Sequence, residues 1–83
     1  MMKKLINIGY GNAVNSDRVV AVISADSAPA RRISQQAKDD NRAIDATQGR
    51  KTKAVIIMDS DHIVLSPLLP ETIQGRFGGD ESE

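Results

Sequence analysis

The sequence predicts a small α+β fold, in which a mostly antiparallel sheet carries one main helix and a short C-terminal helix in the order β-β-α-β-β-β-α. Five segments rich in Val, Ile and Leu are bounded by turn residues, as strands usually are. One longer segment repeats small apolar residues at helical spacing behind a capping residue and a proline. The 83 residues have room for one domain, which we expect over 1–77, followed by a flexible acidic tail over 78–83.

The first half of the chain contains two predicted strands and the main helix. The strands are expected at 3–8 and 18–24, with two turn clusters rich in Gly, Asn, Ser and Asp between them. The helix is expected over 28–40, because Asp26 or Ser27 can cap its first turn and a proline follows where its missing N–H does no harm.

The second half contains three predicted strands and a short helix, which we expect at 43–46, 52–58, 62–66 and 70–77. Residues 54–58 form an apolar run without a polar residue, and such a run indicates a strand that is covered on both faces. The main helix can cover only one face of so small a sheet. Either the C-terminal helix or another protomer would cover the second face, and we favour the protomer.

The composition excludes several classes of protein. The chain has no cysteine, so it has no disulfides, thiolate zinc sites or iron–sulfur clusters. No apolar run approaches the roughly 20 residues of a membrane span, and the start does not have the pattern of a signal peptide, so we expect a cytoplasmic protein without membrane contacts. Because Tyr10 and Phe77 are the only aromatic residues, the core is made of smaller side chains, and self-association is the expected further source of stability.

Two short clusters with the residue types of chemical sites are interpreted as turns. Asp59, Asp61 and His62 could supply metal ligands or an acid–base pair, but a turn with a packed or hydrogen-bonded histidine explains them better. Residues 9–12 lack the spacing of a phosphate loop, although Tyr10 could be exposed there and stack on a ligand. We therefore expect no enzyme activity, no cofactor, no metal and no small-molecule substrate.

The segment 47–53 is the most suggestive part of the chain. It places Arg50, Lys51 and Lys53 within four residues between two predicted strands, and Gly49 permits close backbone approach. Such a loop can contact phosphate through its cationic side chains, hydroxyls and backbone N–H groups together. A solvated connection between two strands is the alternative, because short basic runs are common on protein surfaces.

A second group of cations lies at the start of the main helix. Arg31 and Arg32 occupy its first turns, and Arg18 precedes the second strand. A cation at a helix N-terminus opposes the helix dipole by roughly 0.3–1 kcal/mol, so local stability does not explain these residues. An anionic partner would explain them.

Segments in the same order and spacing along most of the chain, from Lys4 to Phe77, resemble a known family. They are Ile6–Asn12, Asp17–Arg18, Ser27–Pro29, Arg32, Ile44–Thr47, Gly49–Ser66 and Pro70–Thr72. On these segments the chain is similar to the RemA family of RemA/YlzA-type regulators. The resemblance implies a nucleoid-associated DNA-binding transcriptional regulator that activates extracellular-matrix genes in biofilm formation. It also implies a closed homo-oligomeric ring that presents basic residues of many protomers to double-stranded DNA.

The resemblance further implies that Arg18, Arg32, Arg50 and the cation at position 51 contact DNA, and that Pro29 positions the start of the helix beside them. With the neighbouring cations, the predicted DNA-binding set is Arg18, Arg31, Arg32, Arg50, Lys51 and Lys53, positioned by Pro29 and Gly49. The alternative is a cytoplasmic structural or adaptor oligomer that binds an acidic protein. RNA is a weaker candidate, because the chain has few aromatic side chains for base stacking.

The chain departs from the family pattern at a few positions. Lys51 and Lys53 stand where arginine is expected, Gln48 where an aromatic is usual, and Asn41 where glycine is common. Lysine can neutralise a phosphate but cannot make the planar bidentate contact of arginine with guanine. We therefore expect position 51 to contact the DNA backbone.

The formal net charge of zero does not exclude DNA binding. Three carboxylates lie in the predicted acidic tail, so residues 1–79 have eleven cations against eight carboxylates, a net charge of +3. The neutral total therefore combines an acidic C-terminus with a basic domain.

Overall fold

The computed structural model describes residues 5–78, which form two sheets and two helices. The elements are β1 Leu5–Gly9, β2 Asn12–Asn15, β3 Val19–Ser24, α1 Ala28–Asp39, β4 Ala43–Asp45, β5 Ala54–Met58, β6 Ile63–Ser66 and α2 Pro70–Gly78, with a 3₁₀ turn at Ser16–Arg18. The predicted α+β class is confirmed. Residues 3 and 4 of the first predicted strand, and the predicted tail from residue 79, lie outside the described residues.

The strand β2 was not predicted. It pairs with β1 in an antiparallel two-stranded sheet through a two-residue turn at Tyr10 and Gly11. Both turn residues have positive φ, 54° and 79°, as a type I′ hairpin turn requires. Of the four residues of β2 only Val14 is buried, so the sequence has no alternating pattern that would distinguish this strand from a turn. The sequence predicted one sheet, whereas the structure contains two.

The other four strands form one mixed sheet in the order β3-β5-β6-β4. The β3–β5 and β5–β6 pairs are antiparallel, and β4 lies parallel to β6, with Ala43 opposite Ile63. The prediction of mostly antiparallel pairing is thus confirmed. The helix α1 connects β3 to β4, which lie at opposite edges of this sheet.

The apolar run of β5 is covered on both faces, as predicted, but by a different partner from the one expected. Val55 belongs to a buried cluster with Ala37 of α1. Ile56 belongs to a second buried cluster with Ile8 of β1 and Ile73 of α2. The favoured expectation that another protomer covers the second face is therefore wrong. The alternative, the C-terminal helix, is confirmed in part, because α2 covers this face together with the β1–β2 hairpin.

Both ends of α1 are capped by local hydrogen bonds. The Ser27 side chain accepts a bond of 3.2 Å from the Ala30 backbone N–H, so Ser27 is the N-cap. At the C-terminus the Arg42 N–H donates to the Ala37 carbonyl at 2.7 Å, and Asn41 has a φ of 61°. This is the arrangement of a Schellman cap, whose left-handed residue is usually glycine, so Asn41 stands at a position where the backbone favours glycine.

Candidate nucleic-acid interface

The basic loop, residues 50–53, begins at an anchored turn. The Asp45 carboxylate Oδ1 accepts hydrogen bonds from the Thr47 hydroxyl at 2.6 Å and from the Thr47 N–H at 2.9 Å. The hydroxyl bond first, and then the backbone bond, lower the pKa of Asp45 below its usual value, and the charge of Lys38 lowers it further. Because Thr47 is buried, these bonds fix the point at which the loop leaves the core.

The turn from Thr47 to Arg50 reverses the chain immediately before the loop. Arg50 N–H donates to the Thr47 carbonyl at 3.0 Å, and Gln48 and Gly49 have φ values of 55° and 80°. A Cβ at Gly49 would meet no atom within 4 Å. Glycine is therefore favoured here by its left-handed backbone, and not by the close approach that the sequence suggested.

The far end of the loop is held by the sheet. Lys53 N–H donates to the Ser66 carbonyl at 2.9 Å, and the Lys53 carbonyl accepts from Ala25 N–H at 3.2 Å. Arg50, Lys51 and Lys53 are all exposed. Three cationic side chains thus project from a loop whose two ends are fixed in the fold.

Lys51 connects the basic loop to α1. It lines an open cleft of about 380 Å³ together with Arg31 and Lys38 of the helix. It also lines two larger neighbouring clefts, one of which contains Arg50 and Lys53. We call the six exposed cations of the loop and of α1 the basic surface, which consists of Arg31, Arg32, Lys38, Arg50, Lys51 and Lys53. All of them except Arg32 line these clefts.

Lys38 is a member of this surface that the sequence-based assignment missed. It lies seven residues after Arg31, which corresponds to nearly two helical turns, so both side chains lie on the same side of α1. That spacing is visible in the sequence, but only the position of the basic loop beside the helix shows that Lys38 belongs with Lys51. Arg32 follows Arg31 by about 100° around the helix and is exposed, while Pro29 lies in the first turn.

The structure does not bring Arg18 to the basic surface within one chain. Arg18 Nη1 donates to Asp59 Oδ2 at 3.1 Å, directly after the last residue of β5. The loop enters β5 at its other end, and a strand of five residues is about 17 Å long. Arg18 therefore lies across the length of β5 from Lys53 and already has an acidic partner.

The side chains of the six cations of the basic surface form no hydrogen bond or ion pair with any other residue among 5–78. The remaining cations in that range all have partners: Arg18 bonds Asp59, Arg42 bonds Asp40 and the Asp61 carbonyl, and Arg76 bonds the Asn7 carbonyl. The described part of the chain thus separates cations that hold the fold together from cations that remain available to an anion.

The turn between β5 and β6 is held by one side-chain hydrogen bond within the turn and by two bonds from arginine side chains that are distant in the chain. Asp59 pairs with Arg18, the Asp61 carbonyl accepts from Arg42 at 2.6 Å, and His62 Nδ1 lies 2.8 Å from the Ser60 hydroxyl. Within residues 5–78, no three His, Cys, Asp or Glu side chains are grouped so that they could hold a metal ion. In the same range, no helix has the length and apolar character needed to cross a membrane.

Comparison with known proteins gives a consistent picture. The sequence profile of the RemA-like family, described as "Extracellular matrix regulatory protein A-like", matches residues 5–77. A protein of Dictyoglomus turgidum is 62% identical over 96% of this chain and 95% of its own length, and one of Dictyoglomus thermophilum is 60% identical over the same shares. A protein of Geobacillus kaustophilus is 53% identical over 98% of this chain and 93% of its own length. All three carry the name "Putative regulatory protein".

Proposed function

The chain belongs to the RemA-like family of extracellular matrix regulatory proteins, and from this premise we propose that it is a DNA-binding transcriptional regulator. In this proposal it activates extracellular-matrix genes in biofilm formation, and it binds double-stranded DNA through basic residues arrayed on a homo-oligomeric ring. The proposal contains no enzymatic step, cofactor or membrane contact.

One observation carries the proposal: the basic surface combines six exposed cations that have no acidic partner among residues 5–78. Phosphate contacts from Lys and Arg supply most of the sequence-independent affinity of proteins for DNA. The geometry of the surface suits contacts with the phosphates of the DNA backbone, because the helix α1 and the anchored loop present their cations side by side.

A ring would compensate for the small size of this surface. The described chain is 40 Å in its longest dimension, which is little more than one turn of duplex DNA, so a single protomer reaches only a few phosphates. Several protomers on one DNA molecule would bind with avidity. The same array could present Arg18 of each protomer at a second point along the DNA.

The direct test is a mobility-shift titration of duplex DNA at several salt concentrations with the wild type, Arg50→Ala and Arg76→Gln. Each neutralised phosphate contributes about −0.9 to the slope of log K against log salt. Arg50→Ala is expected to weaken binding and to make this slope less steep. Arg76→Gln removes the same charge from a residue that bonds Asn7 and lies outside the basic surface, so it should leave the slope unchanged.

Equal effects of the two variants would mean that binding depends on total charge and not on the basic surface. If the wild type fails to bind duplex DNA even at low salt, the proposed function is wrong. An acidic protein partner would then be the function to test.

A further inference from the structure

A cleft of about 560 Å³ beside the basic surface combines cations with the protein's only tyrosine. The residues that line it include Tyr10, Arg50, Lys51, Lys53, Pro67 and Leu68, and no described carboxylate lines it. Its volume lies within the usual range of small-molecule sites, about 300–1,000 Å³. The cleft therefore provides phosphate-binding groups, an aromatic ring and an apolar wall within one concave surface.

The backbone conformation of Tyr10 is not explained by the stability of the fold. Tyr10 is the first central residue of the β1–β2 turn, at a φ of 54°, where asparagine, aspartate and glycine are preferred. The residue remains 52% exposed, so burial of the ring offsets little of this strain. Strained backbone positions are concentrated at functional sites.

The turn also packs closely against the wall of the cleft. A Cβ at Gly9 would lie 3.1 Å from Pro67 Cγ, which is tighter than ordinary side-chain contacts. Glycine at this position, with a φ of 114°, lets the hairpin approach the segment after β6. Tyr10 is thus placed at the cleft by the hairpin's own packing.

We propose that this cleft binds a nucleoside polyphosphate, with the phosphates on Arg50, Lys51 and Lys53 and the base stacked on Tyr10. Arginine and lysine side chains recognise phosphate, and every base has a face that can stack on an aromatic ring. Bases inside a duplex are already stacked, so Tyr10 can stack only on an unpaired base. This site goes beyond the proposed binding of duplex DNA.

The intrinsic fluorescence of the protein is a specific probe of this site, because the chain has one tyrosine and no tryptophan. ATP is expected to quench that fluorescence in a saturable manner, and free N-acetyl-tyrosinamide corrects for absorption of the light by ATP. Inorganic triphosphate, which has no base, is expected to bind by calorimetry with little quenching. Adenosine, which has no phosphate, is expected to bind at least tenfold more weakly than ATP.

Tyr10→Asn is the informative variant, because Asn-Gly is the preferred type I′ turn and the fold should be retained. Because Tyr10→Asn and Tyr10→Phe lack the only tyrosine, their ATP affinities are measured by calorimetry. Base–aromatic stacking is worth enough to predict an ATP affinity at least about fivefold weaker for Tyr10→Asn than for the wild type. Affinity for inorganic triphosphate should be unchanged, and Tyr10→Phe should bind ATP within about threefold of the wild type. Lys53→Ala should weaken the binding of both ATP and triphosphate.

Three results would overturn the proposal. In the first, Tyr10→Asn binds ATP as tightly as the wild type does. In the second, triphosphate binds as tightly as ATP, which would show a site for phosphate alone. In the third, a single-stranded oligothymidine quenches the tyrosine while ATP does not, which would assign the cleft to a nucleic-acid strand.

A consequence for regulation rests on the proposed function. Because Arg50 and Lys51 belong both to the cleft and to the basic surface, ATP should release duplex DNA from the protein. Tyr10→Asn should require at least fivefold more ATP for this release and should bind DNA normally in its absence. Failure of DNA binding would leave the ATP titrations interpretable, so the two proposals can fail independently.

Discussion

At the scale of single residues, Thr47 shows how a buried hydroxyl can organise an exposed basic loop. Its side chain and N–H both bond Asp45, and its carbonyl accepts the bond that closes the turn to Arg50. The sequence marked this segment only as a turn before a run of cations. The pairing of Asp45 with Thr47 depends on the position at which β4 ends, so periodicity alone could not have found it.

The Asp45–Thr47 pair makes stability depend on pH in a defined direction. The pKa of Asp45 is lowered in the folded state, so the unfolded state binds more protons in acid. The stabilisation is fully present above the ordinary pKa and is lost as the pH falls through the lowered folded value. Thr47→Val should cost about 1 kcal/mol of unfolding free energy at about pH 6 and distinctly less at about pH 3.

Urea unfolding of both proteins at the two pH values measures this difference. Thr72→Val is a suitable control, because the exposed Thr72 hydroxyl makes no hydrogen bond within residues 5–78. A loss for Thr47→Val that is the same at both pH values would show that the pair does not contribute to the acid sensitivity.

At the scale of elements, the β1–β2 hairpin covers one face of the central sheet. Ile6, Ile8 and Val14 are buried against the cluster that contains Ile56. The Ser66 hydroxyl donates to the Ile8 carbonyl at 2.8 Å and joins the hairpin to β6. These contacts cover the second face of the central sheet, which was expected to pack against another protomer.

Ile8→Ala tests the docking of the hairpin. Ile8 is 1% exposed, so its truncation should lower the unfolding free energy by about 2–5 kcal/mol through lost burial and a cavity. Leu5 lies on the same strand but is 70% exposed, so Leu5→Ala should change the unfolding free energy by less than about 0.5 kcal/mol. Denaturant unfolding compares the two. Similar small losses for both would mean that the hairpin does not cover the sheet.

At the scale of the whole molecule, the case for self-association has changed. The continuous apolar run of β5 no longer requires a second copy, because the chain covers both faces itself. Exposed apolar side chains remain at the two edges of the four-stranded sheet, where Val20 of β3 is 65% exposed and Ile44 of β4 is 50% exposed. Edge strands with exposed β-branched residues are suited to pairing with another chain.

Static light scattering at micromolar concentration is expected to give a mass several times the 9.0 kDa of one chain. Val20→Lys places a charge on the edge of β3 and should lower that mass if this edge contributes to assembly. Ala13→Lys is the matched control, since Ala13 is exposed on the hairpin and lies outside the four-stranded sheet. A wild-type mass of 9.0 kDa would contradict the ring and remove avidity from the proposed function.

Much of the fold could be predicted locally. Ser27 and Pro29 mark the start of α1, and the apolar run of β5 correctly predicts a strand covered on both faces. The strand β2 was not predicted, because it has a single buried side chain, Val14. One large apolar residue does not make the alternation of apolar and polar residues that indicates a strand. In the site, the cations of the basic loop stood out because three of them lie within four residues, whereas Lys38 has no such neighbours in the sequence.

The sequence by itself determined the α+β class, the bounds of α1 to within one residue, and the presence of two basic groups that local stability does not explain. Those properties depend on spacing over a few residues, through caps, turns and apolar periodicity. Only the tertiary structure decided that the hairpin and α2 cover β5, that Lys51 joins the basic loop to α1, and that Arg18 pairs with Asp59. These contacts join residues far apart in the chain, and many packings of the same elements are compatible with one pattern of local signals.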